Sequence, residues 1–503
     1  MKQLAIIIII TCFFACTNEN KMEAKQMNNS TLINISSDPN ISFNIWFKFG
    51  SVNDPKGKEG LAYITAQLMV DGATENNSYD AILEKLDPIA GSYSSKVDKE
   101  MTTFKGRIHK DNIDKFYTLF IDAILHPKFQ KDDFDRIKNQ TISAVKNDLR
   151  YASDEELGKA VLYQEIFKNT PYGHLTTGYI SSLESITLND VKNFYKQNIN
   201  KNNFEIGLAG GFDNNLVTKL NTDLSKLPEG IKTTKTKINP SKINGLNITI
   251  IEKDNSSTAI SFGFPIPITR ADKDFYALDI FRSWFGEHRN QSSHLYEVIR
   301  EERGLNYGDY AYIEAFLNGG SYSMPIPNNP RSQQIFEVWI RPVQHIHRHF
   351  ALRAAMRELQ MVVDNGMTQE QFDVTKQFLY KYALHYAPAL DTRLGYQIDS
   401  KFYGVNDEGN YIAYYRKMIK NMTLSDVNTA IKKYIQYNNI DFSIITKDAK
   451  TFKDELISNK PSPIEYSTPK PNEVLEEDKI ISNYKINFNA NNIKIVPVDN
   501  LFK

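Results

Sequence analysis

The sequence predicts an α+β protein of two related halves, each a mainly antiparallel sheet covered by helices. The main support is an internal repeat. ITLNDVKNFYKQNINKNNFEIGLAG, from Ile186, is similar to MTLSDVNTAIKKYIQYNNIDFSIIT, which starts 236 residues later at Met422. Both stretches predict a helix with a Thr N-cap and an Asp three residues on, then Asn-Asn, then an alternating strand. A second pair, Phe134-Asp135-x-x-Lys138 and Phe372-Asp373-x-x-Lys376, recurs at an offset of 238.

Each half begins with two predicted strands around a polar turn. LINISSDPNISFNIWF turns at Asp38-Pro39-Asn40, and ITIIEKDNSSTAISFGF turns at Asp254-Asn255-Ser256. Apolar residues alternate with polar ones on both sides of each turn, which is the period of a strand. We therefore place one domain at 30–228 and its duplicate at 246–457, joined by a polar linker at 229–245.

The C-terminal residues 458–503 have a different composition. Four prolines between 458 and 476 predict a stiff, extended connection. YKINFNANNIKIVPV then alternates on both sides of Asn491-Asn492, which predicts a β-hairpin. We expect this extension to add to a sheet edge, with pairing to a partner chain as the alternative.

The N-terminus has the pattern of an export signal. Lys2 precedes an eleven-residue apolar run from Leu4 to Phe14, which is too short to span a bilayer. Ala15-Cys16 after this run is typical of a bacterial lipoprotein cleavage site, so we predict a leader at 1–16, lipidation at Cys16 and a polar tether at 17–29. This places the protein in the cell envelope, lipid-anchored and facing the periplasm. Simple secretion is the alternative.

Charge and cysteine content exclude several classes of function. Lys plus Arg and Asp plus Glu both total 60, and the net charge of zero provides no electrostatic footprint for nucleic acid or an anionic membrane surface. The expected membrane contact is therefore through the lipid anchor alone. Cys12 and Cys16 both lie in the leader, so the mature chain has no disulfide, no thiol catalysis and no cysteine metal site.

The stretch GSVNDPKGKEGLAYITAQLMVDGAT, from Gly50, resembles the start of the insulinase/pitrilysin family of zinc peptidases. That family reads Gly-Lys-x-Gly-Leu-Ala before an inverted zinc motif, His-x-x-Glu-His. Its two His hold zinc, its Glu deprotonates the metal-bound water, and a Glu on a later helix completes the site. Pro171-Tyr172-Gly173-His174 and LAGGF at Leu208–Phe212 extend the likeness, which covers about 30–457. The resemblance implies two α+β halves that pair like a clam and enclose peptide.

Each of the four metal-site positions departs from the family pattern. The two His positions hold Tyr63 and Gln67, the general-base position holds Ala66, and the later Glu position falls on Ser143. A neutral hydroxyl and an amide are weak zinc ligands, and Ala66 accepts no proton. We therefore predict that the chain binds no zinc here and that the helix serves packing, through Leu61, Ile64, Leu68 and Met69.

SSHLYEVIREERGLNYGDYAYIEAF, from Ser292, resembles a second family pattern, Leu-x-x-x-x-Arg-x-x-x-Gly-Leu-x-Tyr. The resemblance places Arg300 at the end of a helix and Tyr307 on the strand after it, where active relatives use the pair to bind substrate near the zinc. Both side chains donate hydrogen bonds, as oxyanion stabilisation requires. The alternative is structural: Gly304 caps a helix, Arg300 makes a surface ion pair and Tyr307 lies in a sheet.

Two other motifs concern a metal site and a turn. His345, His347 and His349 follow Pro342, and on a helix the first and last would share a face able to hold a metal, but the sequence offers no identifiable third ligand. Exposed or hydrogen-bonded histidines are the alternative. Asn318-Gly319-Gly320 predicts a hairpin turn.

These patterns favour a non-catalytic, zinc-less subunit of a heterodimeric insulinase-type peptidase. In that interpretation a partner subunit carries the zinc and this chain contributes Arg300 and Tyr307, with peptides or unfolded polypeptide as substrate. The chain alone is then inactive and binds no cofactor. The alternative is an envelope lipoprotein that binds peptide or protein without proteolysis.

Overall fold

The computed structural model describes residues 29–230, 232–316 and 325–503. Within these residues the first half has a five-stranded sheet of order β1-β5-β2-β4-β3. Its strands are β1 (Ser30–Asn34), β2 (Asn40–Phe47), β3 (Ser92–Val97), β4 (Thr102–His109) and β5 (Phe204–Gly210). β1 and β5 are parallel, and the other neighbours are antiparallel. The predicted leader, Cys16, nearly all of the tether and the Asn318-Gly319-Gly320 turn lie outside the described residues.

Helices and a π-helical segment complete the first half. The helices are α1 (Leu61–Val70), α2 (Tyr79–Leu86), α3 (Ile113–Leu125), α4 (Lys131–Ser143), α5 (Asp154–Ile166), α6 (Ile180–Ser185), α7 (Leu188–Asn198) and α8 (Asn214–Leu224). The π-helical segment Ala144–Ala152 continues α4 directly.

The second half has a six-stranded sheet of order β11-β6-β10-β7-β9-β8 among the described residues. The strands are β6 (Leu246–Glu252), β7 (Thr258–Ile266), β8 (Asp309–Tyr312), β9 (Gln334–Val343), β10 (Ile440–Thr446) and β11 (Ile493–Pro497). The helices are α9 (Lys273–Gly286), α10 (Arg348–Asn365), α11 (Gln369–Tyr382), α12 (Leu390–Tyr403), α13 (Tyr411–Asn421), α14 (Leu424–Tyr434), α15 (Ala449–Ser458) and α16 (Asn472–Asn483). A π-helical turn, Tyr296–Glu301, precedes β8.

The two sheets repeat one topology, as the internal repeat predicts. The series β1-β5-β2-β4-β3 corresponds in order to β6-β10-β7-β9-β8, and the parallel pair β1 and β5 corresponds to β6 and β10. Helices α7 and α14 begin with equivalent capping boxes, in which Thr187 and Thr423 each accept from the backbone N–H of an Asp three residues later. These caps satisfy backbone groups that a helix start otherwise leaves unpaired.

One helix of each half packs on the sheet of the other half. Helix α5 of the first half packs on β7 and β10, and α12 of the second half packs on β1, β2 and β5. Gly158 permits the close approach of α5, since a Cβ there would lie only 3.1 Å from Ile445 and Ser261. Both faces of each sheet are therefore covered, which is why Ser42, Asn44 and Trp46 of β2 are buried although they alternate with the apolar core residues.

A buried ion pair also joins the halves. Arg331 donates to both carboxylate oxygens of Asp98, at 2.7 and 2.9 Å, and both side chains are nearly inaccessible. Glu205 of β5 pairs with Lys401 of α12 at 2.6 Å. The exchanged helices and these pairs fix the two halves against each other.

The C-terminal extension adds to a sheet edge as predicted, but it forms one strand instead of a hairpin. β11 pairs in parallel with β6, while residues 484–489 form no strand. Their apolar side chains enter the core instead, and Phe488 packs edge-on against Phe442 at 5.6 Å. The predicted extended connection is also interrupted by α16, which starts directly after Pro471.

The last six residues cross from the second half to the first. Val498, Leu501 and Phe502 are buried in the core of the first half. Ile180 N–H donates to Phe502 O at 2.9 Å, and Arg150 donates to Leu501 O. The tail therefore straps the second sheet to the first half.

Candidate functional site

Helix α1, where the family holds its metal, is a packing helix in this chain. Leu61, Ile64, Leu68 and Met69 are buried, as predicted from their spacing. Ala66 is 1% exposed and belongs to the same core. Replacing the family's catalytic Glu by Ala66 therefore matches an apolar environment, in which an unpaired carboxylate would be costly.

The former ligand positions on α1 do not form a metal site. Tyr63 is half-buried, and burial, followed by the Asp71 carboxylate, raises the pKa of its phenol, which therefore stays protonated at neutral pH. The Gln67 amide donates a hydrogen bond to Ser95 Oγ of β3 at 3.2 Å. A neutral phenol and an engaged amide are poor zinc ligands.

Ser143 makes a hydrogen bond within its own helical segment. It is exposed at the last residue of α4, and its hydroxyl accepts a hydrogen bond from Asn147 at 3.1 Å. No hydrogen bond links it to Tyr63 or Gln67 within the described ranges. Across 29–230, 232–316 and 325–503, no group of three or more His, Cys, Asp or Glu side chains is arranged to hold a metal ion.

Sequence reasoning missed the group that anchors the start of α1. Asp54 accepts from the backbone N–H of Gly60 at 2.8 Å and of Ala62 at 2.7 Å, and it lies 3.3 Å from His174 Nε2. Burial raises the pKa of Asp54, against the lowering effect of His174. The sequence signal was an Asp a few residues before the helix together with Gly60, which makes a turn at φ 97° in the structure. Asp54 therefore holds the start of α1 in place.

The structure brings Arg300 and Tyr307 into contact. Gly304, at φ 68°, caps the π-helical turn and donates to Arg300 O at 2.7 Å, so the chain folds back. The Arg300 guanidinium carbon then lies 5.7 Å from the centroid of the Tyr307 ring, a distance typical of a cation–π contact. The sequence predicts Tyr307 on the strand, but the residue lies on the bend before β8. The capping role of Gly304 and the pairing of the two side chains therefore coexist.

Both side chains keep donors that have no partner among the described residues. Tyr307 is 78% exposed, and its hydroxyl makes no hydrogen bond to the described residues. Arg300 Nε is buried without a hydrogen-bond partner, and Arg300 makes no ion pair with any carboxylate in the described ranges. The surface ion pair considered for Arg300 is thus absent from the described part of the chain.

The segment that carries the pair is held from two sides. The Asn306 amide donates to Asp309 at 2.8 Å, and Asn306 Oδ1 accepts from Gly308 N–H at 3.1 Å. Arg303 donates to Asp478 at 2.7 Å and to Glu477 at 2.8 Å, both on α16. The C-terminal extension therefore braces the turn that presents Arg300 and Tyr307.

The three histidines lie in a 3-10 turn, His345–His347, and at the start of α10. His345 is hydrogen-bonded through Nδ1 to Thr258 at 2.9 Å and through Nε2 to Asn255 O at 3.0 Å. Burial, followed by the nearby Arg353 and Arg348, lowers the pKa of His349 to about 3. His345 is therefore a hydrogen-bonded histidine, which was the alternative to a metal ligand.

Nothing in the described residues joins the Arg300–Tyr307 pair to α1 by a hydrogen bond, ion pair or ring contact. The pair lies beside the edge strand β8 of the second sheet, whereas α1 packs beside the edge strand β3 of the first. Among the described residues, no helix combines the length and the apolarity needed to cross a bilayer.

Comparison with known proteins gives the family. The model described as Insulinase (Peptidase family M16) matches residues 31–178, and the model described as Peptidase M16 inactive domain matches residues 185–379. An uncharacterized zinc protease of Rickettsia bellii is 24% identical over 311 residues, 61% of this chain and 73% of that protein. The Helicobacter pylori protein described as non-peptidase homolog YmxG is 24% identical over 405 residues, 80% of this chain and 87% of that protein.

Solved structures share the fold. A peptidase M16 inactive domain from Pseudomonas fluorescens has a TM-score of 0.71 at 20% identity, covering 83% of this chain and 95% of that chain. The periplasmic protease PqqL of Escherichia coli has a TM-score of 0.66 at 14% identity, covering 91% of this chain but 49% of PqqL. The family models together span more than half of the chain, and the chain belongs to the insulinase family, peptidase family M16.

Proposed function

We propose that this chain is the zinc-less subunit of a two-subunit insulinase-type peptidase. The observation that carries the proposal is a contrast within one chain. The metal-site positions on α1 hold packing or engaged side chains, whereas Arg300 and Tyr307 are paired and braced. Loss of all function would give no reason for the second site to be held so firmly.

The chemistry of the pair suits a role on a substrate held by another subunit. A guanidinium and a phenol both donate hydrogen bonds, and such donors stabilise the oxyanion that develops when a peptide carbonyl is attacked. In the proposal the partner supplies the zinc and the His-x-x-Glu-His motif, and a peptide or unfolded segment lies between the subunits. PqqL, a chain about twice as long, supports this arrangement because this chain matches about half of it.

We also propose that the protein is located in the cell envelope. Lipidation at Cys16 would hold the pair of subunits in the cell envelope, facing the periplasm. If no zinc-bearing partner exists, the same features describe an envelope lipoprotein that binds peptide or protein without cleaving it.

The test is reconstitution with a homologue that carries an intact His-x-x-Glu-His motif, followed by hydrolysis of a fluorogenic peptide. Removing one oxyanion donor lowers kcat by roughly 100-fold or more, so we expect losses of that order for Arg300→Ala and Tyr307→Phe. Arg107→Ala, at an exposed position on β4, and Tyr437→Phe are matched controls that should keep full activity. Zinc is measured in the isolated chain and in the assembled pair.

Three results would count against the proposal. Unchanged hydrolysis by both variants of an assembled pair would remove the shared site. Stoichiometric zinc in the isolated chain would contradict the zinc-less assignment. Stable assembly with a zinc-bearing homologue, but no hydrolysis, would favour the binding lipoprotein.

A further inference from the structure

A cavity of about 250 Å³ lies where the end of β1 meets the second half. Ile33 and Asn34 of the first half form one wall, and residues of α12, of α13, of the loop between them and of the segment before α12 form the rest. Its lining contains two charged residues, Arg393 and Arg416, and no Asp or Glu. The charged residues of the lining are therefore all positive, although the chain as a whole has no net charge.

The two arginines are oriented but not neutralised. Arg393 Nε donates to Ala387 O at 2.8 Å, and Arg416 Nε donates to Tyr380 O at 2.9 Å. The Arg416 guanidinium also lies 4.2 Å from the Tyr380 ring centroid. In the described ranges neither arginine pairs with a carboxylate.

Asp407, on the loop between α12 and α13, is already engaged. Asp407 is buried and accepts hydrogen bonds from Gln397, Ser400 and the backbone N–H of Gly409. It is not among the residues that line the cavity. Two half-buried guanidinium groups that pair with no carboxylate of the described residues favour an anion, and their planar forks suit a carboxylate.

The rest of the lining restricts the ligand further. Ile33, Leu384 and Ile412 give the cavity apolar walls beside the two arginines. Its volume is below the roughly 300–1,000 Å³ of sites for drug-sized ligands, so it suits a small group. A small group with one apolar side and one carboxylate matches both parts of the lining.

We propose that this cavity binds a carboxylate attached to a small apolar group, as at the C-terminal residue of a peptide or in a short-chain carboxylic acid. The ligand contacts both halves, because β1 and the arginines come from different halves. Because the ligand binds the folded chain, it raises the thermal stability of that chain. The proposal does not rest on the role of Arg300 and Tyr307, and the isolated chain suffices to test it.

Calorimetric titration of the purified chain with N-acetyl-leucine and N-acetyl-leucinamide tests the carboxylate requirement. We expect one saturable site for the acid, and binding of the amide that is weaker by about tenfold or more, since a hydrogen bond to a charged group is lost. Arg393→Met and Arg416→Met should each weaken binding of the acid by a similar factor. Lys417→Met, on the exposed side of α13, is the matched control and should bind like the parent chain.

A second set of ligands distinguishes the two sources of the carboxylate. Tighter binding of a leucine-ending hexapeptide than of hexanoate assigns the site to peptide C-termini, and the reverse order assigns it to free acids. Equal binding of acid and amide, no saturable binding of any carboxylate at millimolar concentration, or tighter binding of inorganic phosphate would overturn the proposal. The acid and amide comparison uses the parent chain, so it stands even if an arginine variant does not fold.

Discussion

Glu337 is predicted to make the protein less stable as the pH rises. It lies in the middle of β9 with its side chain fully buried, and neither carboxyl oxygen has a hydrogen-bond partner among the described residues. Burial raises the pKa of Glu337 from 4.5 to about 7, although the charges of Lys159 and Arg331 act to lower it. The folded chain therefore keeps this proton at pH values where the unfolded chain has released it.

The sign and size of the effect follow from this difference in bound protons. Between pH 4.5 and about 7 folding takes up a proton, so the free energy of unfolding falls by about 1.4 kcal/mol for each pH unit as the pH rises. The total is about 3 kcal/mol, present below the unfolded pKa and lost as the pH passes the folded pKa. Glu337→Gln keeps the shape of the side chain but does not ionise. The variant should therefore gain about 3 kcal/mol relative to the parent chain between pH 4.5 and about pH 8.

The assay is urea unfolding followed by circular dichroism and tryptophan fluorescence at both pH values. The quantity compared is the difference between variant and parent, which cancels the contributions of all other titrating groups. Glu301→Gln, at an exposed position, is the control and should show no such change. The reasoning fails if the difference for Glu337→Gln is the same at both pH values within about 0.5 kcal/mol, roughly the precision of the extrapolation.

Two further predictions concern the contacts that hold the halves together. Arg331→Ala leaves Asp98 buried without its partner and should lower the free energy of unfolding, measured in urea, by about 3–5 kcal/mol. The double variant Arg331→Ala/Asp98→Asn removes the unpaired charge and should lose less. An equal or larger loss in the double variant would contradict this reasoning. Phe502→Ala removes a tail side chain from the core of the first half and should cost about 3 kcal/mol, with faster amide exchange in 144–152 by mass spectrometry. Unchanged exchange there would argue against the tail as a strap.

The contrast between α1 and the Arg300 turn shows how far local patterns reach. The helix stripe of α1 and the capping boxes at Thr187 and Thr423 depend on residues within a few positions of one another, so spacing alone predicted them. The Gly304 cap is equally local and was the structural alternative for its segment. The loss of metal ligands at Tyr63 and Gln67 is a matter of residue identity and needed no coordinates. The contact between the Arg300 and Tyr307 side chains depended on how the chain turns at Gly304.

The C-terminal extension shows where local patterns stop. Alternation on both sides of Asn491-Asn492 is compatible with a hairpin, but it does not specify the partner strand. Ile493–Pro497 pairs in parallel with β6, which is distant in the sequence, and Ile486 and Phe488 pack in the core. The unpredicted α16 then braces Arg303, a contact between residues 174 or more positions apart.

The sequence by itself therefore determined the repeated α+β halves, the helix caps, the strand alternation and the absence of zinc ligands on α1. Only the tertiary structure decided that α5 and α12 are exchanged between the halves, that the tail straps them together, and that Arg393 and Arg416 face one acid-free cavity. The physical reason is the distance along the chain over which each effect acts. Propensity and periodicity act over a few residues, whereas these features join segments that are far apart in the chain and that meet only when burial of both faces of each sheet brings them together.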